Sequence, residues 1–361
     1  MSSWPSWLPL ATRLRELSPY GAPQLHADAV LNTNENPFAL SEKLAGAIGA
    51  RVAEVARNLN RYPDRDAVAL RTGLAQFINS QSGTAFSASD IWAANGSNEI
   101  LQSLFLAFGD NGALGFTPSY SMHPLISRVS GTKWIDGGRR ADFSLDTDKA
   151  ISEIKSAQPS LTFITTPNNP TGTSITLAEI EELAKVVPGL LVVDEAYAEF
   201  SDEISAVTLI EKYPQVVVSR TMSKAFSFAG VRLGYLVANP AVIDALLLVR
   251  LPYHLSALTQ AAAEVALEFQ DELLGNVSTL IAERERVRQS LADLALQVVP
   301  SSANFLLFSG FDIPSSELWK ALLEKGVLIR DVGLSGYLRV TIGSEAENNL
   351  FISALTQVLK K

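Results

Sequence analysis

Apolar residues gather in short unbroken runs through the middle of the chain, among them Leu161-Thr162-Phe163-Ile164-Thr165, Leu190-Leu191-Val192-Val193-Asp194 and Val216-Val217-Val218-Ser219-Arg220. Runs this short, rich in β-branched residues and lacking polar alternation, predict strands buried on both faces. Residues 91–94, 113–116, 133–136 and 233–237 read the same way. Stretches of helical periodicity, such as residues 98–107 and 177–185, lie between most of them. This alternation predicts an α/β fold, a mainly parallel sheet covered by helices. The last run follows its predecessor too closely for a crossover helix, so it is expected to pair antiparallel.

The pattern changes towards the C-terminus. Residues 241–268 are rich in Ala and Leu and broken by Pro252, predicting two helices with a bend at Leu251-Pro252. Residues 277–295 carry Glu and Arg on one face of an amphipathic helix. Short strands at 302–308, 327–330 and 338–342, with a helix at 315–325, predict a smaller α+β module. The first thirty residues are Pro-rich and irregular, either a tail or an arm packed on the body or a partner. The expected organisation is an arm at 1–30, a large domain at 31–250 and a small domain at 251–361. A length of 361 residues is too great for one compact core, which agrees with that division.

Composition narrows the chemistry. An apolar fraction of 47% with 19% charged residues describes an ordered globular protein. The absence of cysteine excludes disulfide scaffolds, thiolate metal sites and cysteine nucleophiles. The three histidines, His26, His123 and His254, lack metal-ligand spacing, so no metal is expected and each reads as a surface or supporting residue. A net charge of -9 argues against general nucleic-acid binding. No apolar run is long enough for a membrane span, and the N-terminus lacks a basic region ahead of an apolar one. A cytoplasmic protein is expected.

Candidate chemistry centres on Lys224. A strand-like run ends in Ser219-Arg220-Thr221-Met222-Ser223, Lys224 follows, and Arg232 stands eight residues on. A lysine at the end of a buried strand is not a solvated surface ammonium and suits imine formation. Thr221, Ser223 and Arg232 offer the hydroxyl donors and guanidinium fork that a phosphate dianion takes. An imine-forming lysine beside a phosphate cradle describes a pyridoxal-phosphate site. Asp194 ends the run Leu190-Leu191-Val192-Val193, where open α/β sheets bind ligands. Its carboxylate suits the pyridine nitrogen, although a helix cap explains it equally well. Tyr197 and Asn168, the latter in Pro167-Asn168-Asn169-Pro170-Thr171-Gly172, are expected at the ring's phenolate oxygen from opposite sides. Asn95-Gly96-Ser97-Asn98 follows a strand and opens a helix, an anion site with Ser97 and Asn98 as donors.

The order P-N-N-P-T-G, V-V-D-E-A-Y, S-x-T-x-S-K and R-x-G resembles fold-type I aminotransferases of classes I and II. Ser18-Pro19-Tyr20, Leu31-Asn32-Thr33-Asn34-Glu35-Asn36-Pro37, Arg61-Tyr62-Pro63 and the strands around Arg330 and Arg339 resemble histidinol-phosphate aminotransferases in particular. The resemblance runs from about residue 18 to the C-terminus and implies several roles. Tyr120 stacks on the pyridine ring. Tyr62 reaches the cofactor phosphate across a homodimer interface, so the active sites are shared. Tyr20, also from the partner subunit, and Asn34 touch the substrate. Arg330 and Arg339 anchor its anionic group, and Tyr253 walls the ring pocket.

The implied reaction is transfer of the amino group of L-histidinol phosphate to 2-oxoglutarate, with Lys224 as general base and Asp194 stabilising the electron sink. An aromatic amino-acid aminotransferase needs the same two anion contacts and flat pocket, and Tyr20 favours the phosphate substrate. A threonine-phosphate decarboxylase also grips a phosphate. A regulator built on an aminotransferase body would carry an added DNA-binding module, for which the arm is too short and the charge too acidic.

Overall fold

The computed structural model describes residues 4–360, so residues 1–3 of the expected arm, and Lys361, lie outside the described residues. Along the chain, β1 (Ala29–Val30) precedes two helices, α1 (Glu42–Ala56) and α2 (Val68–Ser82). Strands and helices then alternate: β2 (Ile91–Ala94), α3 (Ser97–Phe108), β3 (Ala113–Gly115), α4 (Met122–Ser130), β4 (Trp134–Asp136), α5 (Thr147–Ala157), β5 (Leu161–Thr165), α6 (Leu177–Ala184) and β6 (Leu190–Asp194). After β6 come β7 (Val216–Thr221), β8 (Gly234–Val237) and α7 (Pro240–Leu247). The C-terminal part holds α8 (Ala257–Glu268), α9 (Gln270–Asp293), β9 (Gln297–Val298), β10 (Phe305–Ser309), α10 (Ser315–Glu324), β11 (Val327–Leu328), β12 (Leu338–Thr341) and α11 (Glu345–Leu359).

Seven strands form the main sheet in the order β2-β8-β7-β6-β5-β3-β4. The pairs from β4 to β7 are parallel, and β8 runs antiparallel to both β7 and β2. Two reversals restore direction, so β2 ends on the same edge of the sheet as the parallel strands. Successive side chains on a strand face opposite ways. Val192 and Val217 accordingly pack with Leu101 and Leu104 of α3 and Leu246 of α7, while Val193 and Val218 pack with Ile180 and Leu183 of α6. Every residue of β2, β5 and β7 is buried. Each large apolar side chain so removed from water contributes about 1.5–3 kcal/mol.

Caps set several helix starts. Thr176 and Glu179 form a reciprocal capping box at α6, as do Ser344 and Glu347 at α11. The break between α7 and α8 spans residues 248–256 rather than one proline kink, and the Ser256 side chain, accepting from the Thr259 amide, restarts the helix. Helix α9 begins seven residues before the amphipathic stretch, leaving Phe269 alone between it and α8.

A second sheet, β12-β10-β9, is antiparallel, and β1 pairs parallel with β11. The Leu31 carbonyl also accepts from the Thr341 amide at 3.0 Å. Residues 29–31 are thereby joined to the C-terminal strands, and the stretch after them crosses to the large sheet. Ahead of β1, Arg13 Nε donates to the Val129 carbonyl (3.0 Å) and Glu16 pairs with Arg128 (3.0 Å), both on α4.

Candidate active site

A cavity of about 640 Å³ opens at the carboxyl edge of the main sheet, bordered by the C-terminal strands. Lys224 stands in it, three residues past β7. Its Nζ donates to the Thr33 carbonyl at 3.1 Å, and the Asn36 side chain donates to the Lys224 carbonyl at 3.1 Å. Burial, then the charge of Arg339, pushes the lysine down to about 8, with Glu35 opposing and Arg232 adding to the effect. About a tenth of the side chain is therefore an uncharged nucleophile at pH 7, and about half at pH 8.

Asp194 is buried at the end of β6. Its Oδ2 lies 3.0 Å from His123 Nε2, and its Oδ1 accepts from the Ala196 amide at 3.3 Å. The Tyr197 hydroxyl accepts from Asn34 Nδ2 (2.8 Å) and Asn169 Nδ2 (3.2 Å). With both acceptor positions filled, its own proton is free to be donated into the cavity. Burial raises the phenol's pKa, which keeps that proton in place. Tyr120, also raised chiefly by burial, donates to Asn98 Oδ1 at 3.1 Å.

Three sequence expectations, those for Asn168, Tyr20 and Tyr253, need correction or relocation. Asn168 does not face the cavity: it is wholly buried, and its Nδ2 donates to the Pro118 carbonyl (3.0 Å) and Thr171 Oγ1 (2.8 Å), bracing the turn. Asn169, its neighbour, takes the cavity-lining position. Tyr20 lines the cavity of its own chain rather than entering from a partner. Tyr253 is not a wall of this chain's cavity; it is half-exposed and stacks on Tyr62, with ring centroids 4.4 Å apart. Tyr62 is 78% exposed and also lies outside its own chain's cavity.

The anion cradle forms where β2 runs into α3. Glu99 Oε2 accepts from the Asn95 amide (2.5 Å) and side chain (2.7 Å), fixing the turn. Gly96 has φ +79°, and a Cβ there would stand 2.8 Å from Arg232 Nη2. A Cβ on Gly234 would collide with the backbone nitrogen of Ser97. These two glycines leave the helix N-terminus and the guanidinium open to one anion. Thr221 and Ser223, hydrogen-bonded to each other at 2.9 Å, line the same end.

Arg339 and Arg330 reach the cavity from the C-terminal strands. Arg339 Nη1 donates to Asn169 Oδ1 (2.6 Å) and Nη2 to the Asn32 carbonyl (2.8 Å), while its Nε is buried without a partner. Burial lowers its pKa to about 10, against the opposing influence of Tyr197. Arg330 pairs backbone to backbone with Arg339, lines the cavity, and has no hydrogen-bond partner for its guanidinium among the described residues. Asn34 is held through Thr341, whose hydroxyl accepts from its amide (3.0 Å) and donates to its Oδ1 (2.9 Å).

His123, Asn32, Asn36 and Asn169 are the supporting residues that motif reading did not single out. The three asparagines lie inside quoted motifs, so their positions were visible and their partners were not.

An imine-competent lysine, a buried carboxylate, a phenol with a free proton and an anion cradle define an enzyme site that fits pyridoxal phosphate. Lys224 would hold its aldehyde carbon, Asp194 its pyridine nitrogen, Tyr197 and Asn169 its phenolate oxygen, and the Gly96–Ser97 turn with Arg232 its phosphate. The chain belongs to the family described as aminotransferase class I and II, which matches residues 28–355. It is 56% identical over 355 residues to a histidinol-phosphate aminotransferase of Mycobacterium marinum, covering 97% of this chain and 92% of that protein. It is 55% identical over 356 residues to a histidinol-phosphate aminotransferase of Corynebacterium glutamicum, covering 98% and 97%. The crystal structure of the Sinorhizobium meliloti histidinol-phosphate aminotransferase with pyridoxal-5'-phosphate superposes with a TM-score of 0.85 at 24% identity, covering 99% of both chains; this likeness shows the shared fold.

Proposed function

We propose that this chain transfers the amino group of L-histidinol phosphate to 2-oxoglutarate, giving imidazole acetol phosphate and L-glutamate. The observation that carries the reading is one cavity holding Lys224 and Asp194 with Arg330 and Arg339 across from them. The names of relatives at 55–56% identity support the same substrate pair over the aromatic and decarboxylase alternatives.

Pyridoxal phosphate supplies the electron sink that makes the C–H beside the substrate amine acidic. The chain's residues do the rest. Arg330 and Arg339 bind the anionic group and orient that carbon. Lys224 Nζ would, with pyridoxal phosphate bound, take the proton from that carbon and carry it across the same face of the site. Asp194, fixed by His123, keeps a negative charge where positive charge must persist. Tyr197 holds a hydrogen bond at the ring edge. The second half-reaction runs the same transfers backwards on a 2-oxo acid, giving ping-pong kinetics.

A second copy of the chain completes the site in this reading. Tyr62 and Tyr253, stacked and exposed, would contribute from one subunit to its partner's cavity, and exposed Leu248 and Leu251 would be covered. Among the described residues no helix is long and apolar enough to cross a membrane, in keeping with a cytoplasmic enzyme.

The test is a single half-reaction in the visible spectrum, with L-histidinol phosphate and then L-phenylalanine. Fast bleaching by the first and slow bleaching by the second supports the reading. Equal rates, or a preference for phenylalanine, make it an aromatic aminotransferase. No bleaching with either reopens decarboxylation.

A further inference from the structure

Beneath the cavity floor lies a buried charge cluster with no part in the chemistry above. Arg220 sits on β7, four residues before Lys224. Its Nε (3.0 Å) and Nη2 (2.7 Å) donate to Glu195 Oε2, and its Nη1 donates to Glu199 Oε1 at 3.3 Å. The three side chains keep 5%, 3% and 7% of their exposure. Glu195 is the residue after Asp194, and Glu199 lies two beyond Tyr197. Glu195 is further fixed by the Ser205 hydroxyl (2.7 Å) and the Ala206 amide (2.7 Å). The Phe200 carbonyl, at the end of the same turn, accepts from Arg284 of α9 at 3.4 Å. Burial disfavours charge on Arg220, and the attraction of Glu195 and Glu199 outweighs it, so its pKa is raised. Burial raises that of Glu199.

A buried ion cluster is a poor source of stability, because desolvation cancels most of its attraction. Its many bonds do specify one geometry. The geometry specified here joins two loops. The β6–β7 ladder ends with the Glu195 amide donating to the Ser219 carbonyl at 2.9 Å. Past that point β6 leads to Tyr197 and β7 leads to Lys224, and the Arg220 fork bridges the two.

We propose that Arg220 is a positioning residue: through Glu195 and Glu199 it holds the turn bearing Asp194 and Tyr197 in register with the strand end bearing Lys224. Displacement of reacting groups by about 1 Å can lower a rate about 10²-fold. The kinetic consequence rests on the transamination reading; the spectroscopic one needs only a bound pyridoxal phosphate.

The holoenzyme tests this with two variants. Arg220→Lys keeps the charge and loses the fork. The triple variant Arg220→Met, Glu195→Gln, Glu199→Gln removes the cluster without stranding a carboxylate. Each is measured for kcat and KM in the half-reaction, for the pH midpoint of the visible absorbance, and for melting temperature. The expected result is kcat about 10- to 100-fold lower, KM little changed, and the absorbance midpoint displaced, in variants that stay folded. Wild-type kcat and midpoint in Arg220→Lys overturn the proposal. So does a lowered melting temperature in the triple variant with both values unchanged, which marks the cluster as structural only. A wild-type enzyme inert towards histidinol phosphate counts against the proposed function, and the absorbance midpoint then judges Arg220 alone.

Discussion

His123 Nε2 lies 3.0 Å from Asp194 Oδ2, and both side chains are buried. The ring meets Tyr120 edge-on at 5.4 Å between centroids and lies against Phe163 at 5.1 Å, so it has little freedom to turn. One contact aims the carboxylate and replaces the water it has lost. Asp194→Ala is expected to lower kcat in the half-reaction by about 10²–10³. His123→Phe removes only the aiming bond to a charged partner, worth about 1.5–3 kcal/mol, so about a ten- to hundredfold loss is expected. A stopped-flow comparison of the two variants checks the order; His123→Phe at the wild-type rate would refute it.

The lowered pKa of Lys224 has a consequence in pH. A group held at about 8 is half uncharged at pH 8, whereas an ordinary lysine is uncharged there in roughly one molecule in three hundred. Only the uncharged amine attacks an aldehyde. Cofactor-free protein should therefore capture pyridoxal phosphate faster as pH rises from 6.5 to 9, levelling above a midpoint near 8. Absorbance recorded against pH gives the profile, and a rate still climbing tenfold per pH unit at pH 9 would contradict it.

Adjacent asparagines should separate cleanly. Asn169→Ala removes a donor to the Tyr197 hydroxyl and an acceptor from Arg339. It should raise KM for the 2-oxo acid and shift the visible spectrum with little change in melting temperature. Asn168→Ala leaves the turn without its brace, at a cost of about 1–3 kcal/mol, and should lower the melting temperature first. Calorimetry beside steady-state kinetics distinguishes them, and the reverse pattern would restore Asn168 to the cavity.

Gly96→Ala tests the anion cradle. Its positive φ strains any side chain, and the new Cβ meets the Arg232 guanidinium. Weaker pyridoxal-phosphate binding is expected, by about tenfold or more for 1.4 kcal/mol of lost interaction, in a protein that still folds. Equilibrium dialysis measures it, and unchanged affinity would place the phosphate elsewhere.

The main sheet was legible because β5, β6 and β7 are almost wholly buried, and apolar runs of five or six residues rich in β-branched side chains are too short for helices. The antiparallel turn of β8 followed from a gap too short for a helix. Helix α1 went unread: Leu44, Ile48, Val52 and Val55 do recur at helical spacing, but Gly46 and Gly49 interrupt the stretch and only Leu44 is fully buried, so the stripe is weak. Site residues at strand ends were readable from their motifs. The choice between Asn168 and Asn169 was not, since a turn decides which of two neighbours faces inward. Nor was His123, whose partner lies 71 residues away. The Tyr62–Tyr253 stack joins two surface loops across almost two hundred residues, a pairing that no local pattern records.

Lys224 and Arg232 stand eight positions apart in the return between β7 and β8, residues 222–233, the arginine itself in a left-handed turn with φ 60°. The lysine and the arginine that line the cavity are thus carried by a single segment, while Asp194 and Tyr197 belong to another and the Gly96–Ser97 turn to a third. Any flexing of the return moves Lys224 and Arg232 together against Asp194, Tyr197 and the Gly96–Ser97 turn. The spacing of the cavity's charged groups is then set by how stiffly one short stretch of backbone is seated.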